Sequence, residues 1–279
     1  MKKFIRLILV LAVVFSLAGC TSNEPAPEAP KEKTSAPAEI SAPAQPKEAE
    51  TIILVAAAAS LKNAMDKELI PMFTEKHPNI KINATYDSSG KLQAQIEEGA
   101  DVDVFFSAAM KQMNALNEKG MIEENSIVQL FENKIVLIVP KGSQVPMSEF
   151  KDMVMAETIA IGDPESVPAG QYAKESLENL GLWDQVSALS SLGTNVTEVL
   201  NWVAEGSADA GIVYATDSAS NENVEVKAEA PEGSVSKIIY PVGIVKSSEK
   251  QEAAKIFSDF LQSEDAMEIF KSYGFTPNK

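Results

Sequence analysis

A chain of 279 residues with 45% hydrophobic and 23% charged residues has the composition of an ordinary globular protein of one or two domains. Its formal net charge of −16 argues against a nucleic-acid-binding face, which needs clustered Lys and Arg. The same charge leaves room for a small anion, because a local ring of donors outweighs a distant field.

Lys2, Lys3 and Arg6 precede an apolar run at 7–17 that is too short for a normal bilayer span. The run ends in Leu17-Ala18-Gly19-Cys20, which resembles a bacterial lipobox. Residues 1–19 are therefore expected to be a signal peptide, with Cys20 as the lipidation site. Cys20 is the only cysteine, so its lipidation leaves no thiol for a disulfide or for catalysis. Such a chain is expected at the cell membrane on the extracytoplasmic face, held by a lipid anchor rather than by a spanning helix. Residues 20–50 carry Pro25, Pro27, Pro30, Pro37, Pro43 and Pro46 among Ala, Glu, Lys and Ser. That composition cannot bury enough apolar surface to offset ordering entropy, so it reads as a disordered tether.

The first folded element is the continuous apolar run at 51–58, which reads as a strand buried on both faces. Ser60 stops it as an N-cap, and residues 61–76 follow with helical spacing, divided or kinked by Pro71. Residues 81–86 alternate like a strand, 87–90 form a turn, and 91–98 form a helix. A strand at 102–106 and a helix at 108–119 complete a βαβαβα pattern, which predicts a parallel sheet covered by helices. Further strands are expected at 135–140, 158–161, 211–214 and 236–246, the last interrupted by Pro241 and Gly243. Helices are expected at 147–153, 170–180 (stopped by Gly181), 196–204, 249–261 and 264–273.

Ligands of such folds bind beyond the carboxyl ends of strands, which marks the turns at Ala59-Ser60, Ser88-Ser89 and 167–170. Each serine offers a hydroxyl and a backbone donor, although either could simply cap a helix. Thr194-Asn195-Val196 opens a similar helix, and Val196 can contribute only its N–H. Tyr214 ends a strand and reads by default as a half-buried core residue. Residues 162–174 (GDPESVPAGQYAK) combine a strand end, a proline-stiffened turn and a helix start. No Lys or Arg lies between Gly162 and Ala173, so the helix start can hold an anion by N–H donors and dipole alone.

Enzyme signatures are sparse. His77 is the only histidine, which makes both a Ser–His pair and a multi-histidine metal site improbable. Asp101 with Asp103 and Glu97 with Glu98 read as solvated carboxylates. There is no phosphate-binding P-loop motif and no dinucleotide fingerprint.

Five segments together resemble a known family: AAASLKNAM at 57–65, SSGKLQAQIEEGADVDVFFSA at 88–108, GDPESVPAGQYAKESLENLGLWD at 162–184, GIVYATDSA at 211–219 and AMEIFKSYGF at 266–275. From about residue 51 to the end the chain resembles the molybdate-binding proteins of bacterial ABC uptake systems. The resemblance implies an α/β, two-lobed type II periplasmic-binding-protein fold, each lobe a mostly parallel sheet flanked by helices, the two joined by two hinge strands. Lobe one is expected at 51–133 and 238–279, lobe two at 134–237. The resemblance implies an oxyanion, molybdate or tungstate, held by the hydroxyls of Ser60, Ser89 and Tyr214 and the N–H groups of Ala169 and Val196. Gly90 and Lys91 stand where some family members have Ser and Thr, and Lys91 could add a cation. The implied partners are an ABC permease with its ATPase and the membrane through Cys20. The chain is expected to act as a monomer, without enzymatic activity, metal or cofactor. The alternatives are a receptor for another tetrahedral oxyanion such as sulfate, a sensor reporting occupancy to a membrane partner, and a serine hydrolase using Ser60 or Ser89.

Overall fold

The computed structural model describes residues 50–278. The expected signal peptide, Cys20 and nearly all of the tether lie outside the described residues. β1 (Thr51–Ala58) is the apolar run, buried along its second half. It pairs in parallel with β2 (Ile80–Asp87) and β3 (Val104–Phe106). Between β1 and β2 the chain passes through a 3₁₀ turn at Ala59–Leu61, α1 (Lys62–Ala64), a π-helical turn at Met65–Leu69 and α2 (Ile70–Lys76). Pro71 gives the reason for the division. It has no N–H, so the ladder widens at Ile70, whose N–H reaches back to the Met65 carbonyl. Pro71 then falls in the first turn of α2, where no N–H is required.

α3 (Ser89–Glu97) follows β2, and α4 (Met110–Glu118) follows β3. β4 (Val128–Asn133) completes the outward run of the first lobe. The chain crosses at Lys134 into β5 (Ile135–Pro140), then a 3₁₀ segment at Phe150–Met155, β6 (Ile159–Gly162), α5 (Pro168–Asn179) and α6 (Trp183–Ala188). β7 (Ser190–Gly193), α7 (Val196–Ala204), β8 (Ala210–Tyr214), α8 (Ala215–Ala219) and β9 (Val224–Glu229) complete the second lobe. The chain returns in β10 (Ile238–Ile244), followed by α9 (Gln251–Leu261), α10 (Glu264–Ser272) and β11 (Thr276–Pro277).

Among the described residues one sheet has the order β11-β4-β10-β3-β1-β2 and the other β7-β6-β8-β5-β9. The expectation of mostly parallel sheets is corrected, because both are mixed. β10 runs antiparallel to β3 and β4, and β5 runs antiparallel to β8 and β9. The physical reason is the double crossing between lobes. Strands that carry the chain from one sheet to the other and back enter against the direction of the βα units. Pro241, which cannot donate to a ladder, sits at a register shift in β10.

The core of the first lobe joins the sheet to the C-terminal helices through aromatic rings. Phe131 lies 4.1 Å from Phe270 and 5.5 Å from Phe275, centroid to centroid. Burying each such side chain contributes roughly 1.5–3 kcal/mol, which fixes the C-terminal segment to the sheet. Asp103 departs from its reading as a solvated carboxylate. It is fully buried and accepts from the Leu54 N–H at 2.6 Å and the Ser248 hydroxyl at 2.6 Å, with Lys250 Nζ at 3.2 Å.

The turn before α5 depends on two glycines. A Cβ on Gly170 would stand 1.9 Å from the Gly162 carbonyl oxygen. In an ordinary helix Gly→Ala gains about 1 kcal/mol. Here Gly170→Ala is expected to destabilise the protein by about 2 kcal/mol or more, since the obstacle is backbone. A urea melt checks this, and an unchanged or raised midpoint contradicts it.

Candidate functional site

Each residue singled out in the sequence lies beyond the carboxyl end of a different parallel strand. Ser60 follows β1, Ser89 follows β2, Ala169 follows β6, Val196 follows β7, and Tyr214 closes β8. Ser60 does not cap a helix as expected. It sits inside the 3₁₀ turn, where Ala58 holds the N-cap position without a side-chain bond. Ser88 is the cap of α3, accepting from the Lys91 N–H, and this places Ser89 as the first helical residue. Ala169 opens α5 behind Pro168, and Val196 opens α7 behind the Asn195 cap, whose Oδ1 accepts from the Glu198 N–H at 3.0 Å. Ala169 and Val196 are buried. Their N–H groups have no hydrogen-bond partner among the described residues, as the geometry of a helix start dictates.

A chain of contacts draws three of the five together. Ser89 Oγ accepts from the Ala108 N–H at 3.0 Å, which leaves its own proton free to donate. The Tyr214 hydroxyl donates to the Ala108 carbonyl at 3.3 Å, across the cleft. Ser60 Oγ lies 2.9 Å from the hydroxyl of Tyr240, whose ring is 5.5 Å from that of Tyr214. The other two are brought up by lobe contacts. The Gly90 N–H donates to the Ser166 carbonyl at 3.0 Å, and Gln112 Nε2 donates to Gln171 Oε1 at 3.1 Å, on either side of Ala169 in sequence. Gly90 is required here, since a Cβ on it would stand 2.3 Å from Ser166 O. α7 packs on the 3₁₀ turn that holds Ser60. A groove of about 510 Å³ between them is lined by Lys62, Tyr86, Asn195, Glu198 and Trp202. Lys91 turns to Asp87, with its Nζ 3.4 Å from Oδ1. Among the described residues neither serine hydroxyl has a histidine or carboxylate partner, and His77 packs on Phe73 at 4.8 Å.

A family model for bacterial extracellular solute-binding proteins matches residues 53–276. The chain belongs to the bacterial extracellular solute-binding proteins. It is 39% identical over 275 residues to Bacillus subtilis YvgL, provisionally named an ABC transporter substrate-binding lipoprotein, covering 99% of this chain and 98% of that one. It is 37% identical over 230 residues to the Escherichia coli molybdate-binding protein ModA, covering 80% of this chain and 88% of ModA. The solved structure of the Azotobacter vinelandii periplasmic molybdate-binding protein matches with a TM-score of 0.73 at 23% identity, over 81% of this chain and 100% of that chain. That likeness is one of fold, the two-lobed α/β architecture of type II periplasmic binding proteins.

This solute-binding protein also has polar residues at the hinge that sequence patterning did not reveal. Asn133, Thr216, Asp217 and Tyr240 meet where the chain crosses between sheets. Burial, before any neighbouring charge, pushes the Tyr214 and Tyr240 hydroxyls well above the ordinary tyrosine range, so both remain proton donors. Burial also raises the Asp217 carboxyl from 3.8 to about 7, partly opposed by the Tyr214 backbone, and Asp217 Oδ2 has no hydrogen-bond partner among the described residues. Nothing in the local sequence around Asp217, three residues after Tyr214, marks its carboxyl as buried. A carboxyl whose folded pKa lies above its unfolded value favours the folded state at low pH. That stability is present below about 4 and is lost as pH rises through about 7. Between about pH 5 and pH 8 the wild type is expected to lose about 2–3 kcal/mol more stability than Asp217→Asn. Urea melts of both chains at the two pH values check this, and parallel pH profiles contradict it.

Proposed function

We propose that this solute-binding protein captures molybdate, and tungstate with it, between its lobes and delivers it to an ABC importer. The observation that carries the proposal is the character of the groups gathered at the strand ends. Ser60 and Ser89 offer hydroxyls, Tyr214 offers one that turns from the Ala108 carbonyl to the ligand, and Ala169 and Val196 offer N–H groups at helix starts. A dianion without a proton needs donors only, and charge-assisted N–H and O–H bonds are individually strong. Helix dipoles at α5 and α7 add to them. The relatives named for molybdate carry the same inference at the level of the whole chain.

Donors from both lobes favour the closed state by differential contact, and the closed state is the form a permease can distinguish. Lobe one comprises 51–133 and 238–279, and lobe two comprises 134–237. The protein works as a monomer on the extracytoplasmic face, tethered through residues 20–50 to a lipid on Cys20 after removal of residues 1–19. The relative named as a lipoprotein supports this anchoring. Among the described residues no helix is long and apolar enough to cross a membrane. The protein is a carrier and not an enzyme, with the oxyanion as its ligand and no cofactor.

Sulfate has the same charge and shape as molybdate and is smaller, so cavity size must reject it. In a thermal-shift series, molybdate and tungstate are expected to raise the melting temperature at concentrations where sulfate and phosphate do not. Equal stabilisation by sulfate would remove the claim of specificity. Tyr214→Phe is expected to weaken molybdate binding by roughly 1.5–3 kcal/mol, the scale of a hydrogen bond to a charged group. Calorimetric titration measures this, and unchanged affinity takes Tyr214 out of the site.

A further inference from the structure

The hinge side of the site contains a hydrogen-bond chain whose direction can be read from its far end. Asn133 closes β4 at the first crossing between the sheets. Its Oδ1 accepts from the Lys134 N–H at 2.8 Å, so the amide cannot be reversed without losing that bond. Nδ2 is thereby turned toward the hinge interior, donating to Thr216 Oγ1 at 3.0 Å and to the Tyr240 hydroxyl at 3.3 Å. Tyr240 is fully buried, and its hydroxyl holds one proton. The Tyr214 hydroxyl beside it lies 3.3 Å from the Ala108 carbonyl and is also a hydrogen-bond partner of the Tyr240 hydroxyl. Either hydroxyl of the Tyr240–Ser60 pair, 2.9 Å apart, can carry the shared proton, and the Asn133 N–H on the Tyr240 oxygen favours Tyr240 as the donor. Ser60 then accepts from Tyr240, and its remaining proton is aimed away from the hinge, at the cleft.

We infer that Tyr240 and Asn133 are positioning residues that fix Ser60 as a hydrogen-bond donor toward the bound oxyanion. This rests on the reading of Ser60 as a ligand donor. Ser89 is polarised in the same sense from the other side, since the Ala108 N–H occupies its oxygen. Two serines held this way present their protons to the cleft. The consequence is selectivity by protonation state. A fully deprotonated oxyanion meets donors throughout, whereas hydrogen phosphate brings a proton of its own against a hydroxyl locked as a donor. The chain is hydrogen-bonded at every link and runs through the buried Tyr240, so each member strengthens the next.

The test is a double-mutant cycle on the protein, with molybdate and phosphate as ligands and calorimetric titration as the measurement. Tyr240→Phe keeps the ring and removes only the hydroxyl. It is expected to weaken molybdate binding about tenfold in the wild-type background and less than about twofold in Ser60→Ala, because its effect passes through Ser60. At neutral pH, where every phosphate ion still carries a proton, Tyr240→Phe is also expected to narrow the molybdate-to-phosphate preference. An equal loss in both backgrounds, or an unchanged preference, overturns the inference and points to a packing role or direct ligand contact for Tyr240. If Ser60→Ala alone leaves molybdate affinity unchanged, the reading of Ser60 as a ligand donor fails instead. Circular dichroism melts establish that the variants fold. Where Tyr240→Phe does not fold, Asn133→Ser breaks the chain one link earlier and is held to the same two outcomes.

Discussion

Helix starts leave N–H groups without partners, and burying such groups is costly unless something accepts from them. The cleft of this protein is organised around that constraint. α3, α5 and α7 all begin at the carboxyl ends of parallel strands, so their first turns face the gap between two sheets. Ala169 and Val196 are buried there with N–H groups that no described residue satisfies. The hydroxyls that join them are deployed as donors too. Ser89 has its oxygen occupied by a backbone N–H, and Tyr214 keeps its proton because burial makes ionisation unfavourable. An anion without protons is the complement of such a set, and no cation is required to hold it.

Close backbone approach is what lets the two halves of the set meet. Gly90 and Ser166 touch through main-chain atoms, and Gly162 lies against Gly170 in the turn that presents Ala169. A side chain at Gly90 would push it off the Ser166 backbone, and one at Gly170 would push the start of α5 off the end of β6. Gly181, with φ near +70°, ends the neck of α5 for the different reason that the chain must turn in the left-handed region there.

The hinge carries a cost of its own. Asp217 is buried with an oxygen that has no partner, a few residues from a site that favours negative charge. Held neutral over much of the acidic range, it avoids repelling a bound dianion, while Tyr240 and Asn133 occupy the same interior with a directed hydrogen-bond chain. Small polar groups at a crossing between lobes can exchange partners when the lobes move, which a tightly packed apolar seam cannot do without opening cavities.

The amino-acid sequence by itself determined the elements whose local pattern is strong. The run at β1 and the amphipathic α7 have the bounds that their periodicity predicts, and the turns at Ser60 and Ser89 and the cation-free turn at Ala169 were legible as places where a ligand can approach. Short or weakly patterned elements were not legible: β4, β7, β9, β11, α6 and α8 have too few residues, or too polar a face, for periodicity to register. Sheet direction was misread because the strands that cross between lobes look locally like any others. Tyr240 read only as part of a strand, and Asp217 drew no reading of its own. Their partners lie far away in sequence: Ser60 is 180 residues from Tyr240, and Asn133 is 107 residues from it. Periodicity records which face of a segment is buried. Which proton points at the cleft is settled only when distant segments fold into contact, because a hydroxyl takes its direction from its neighbours and not from its own place in the chain.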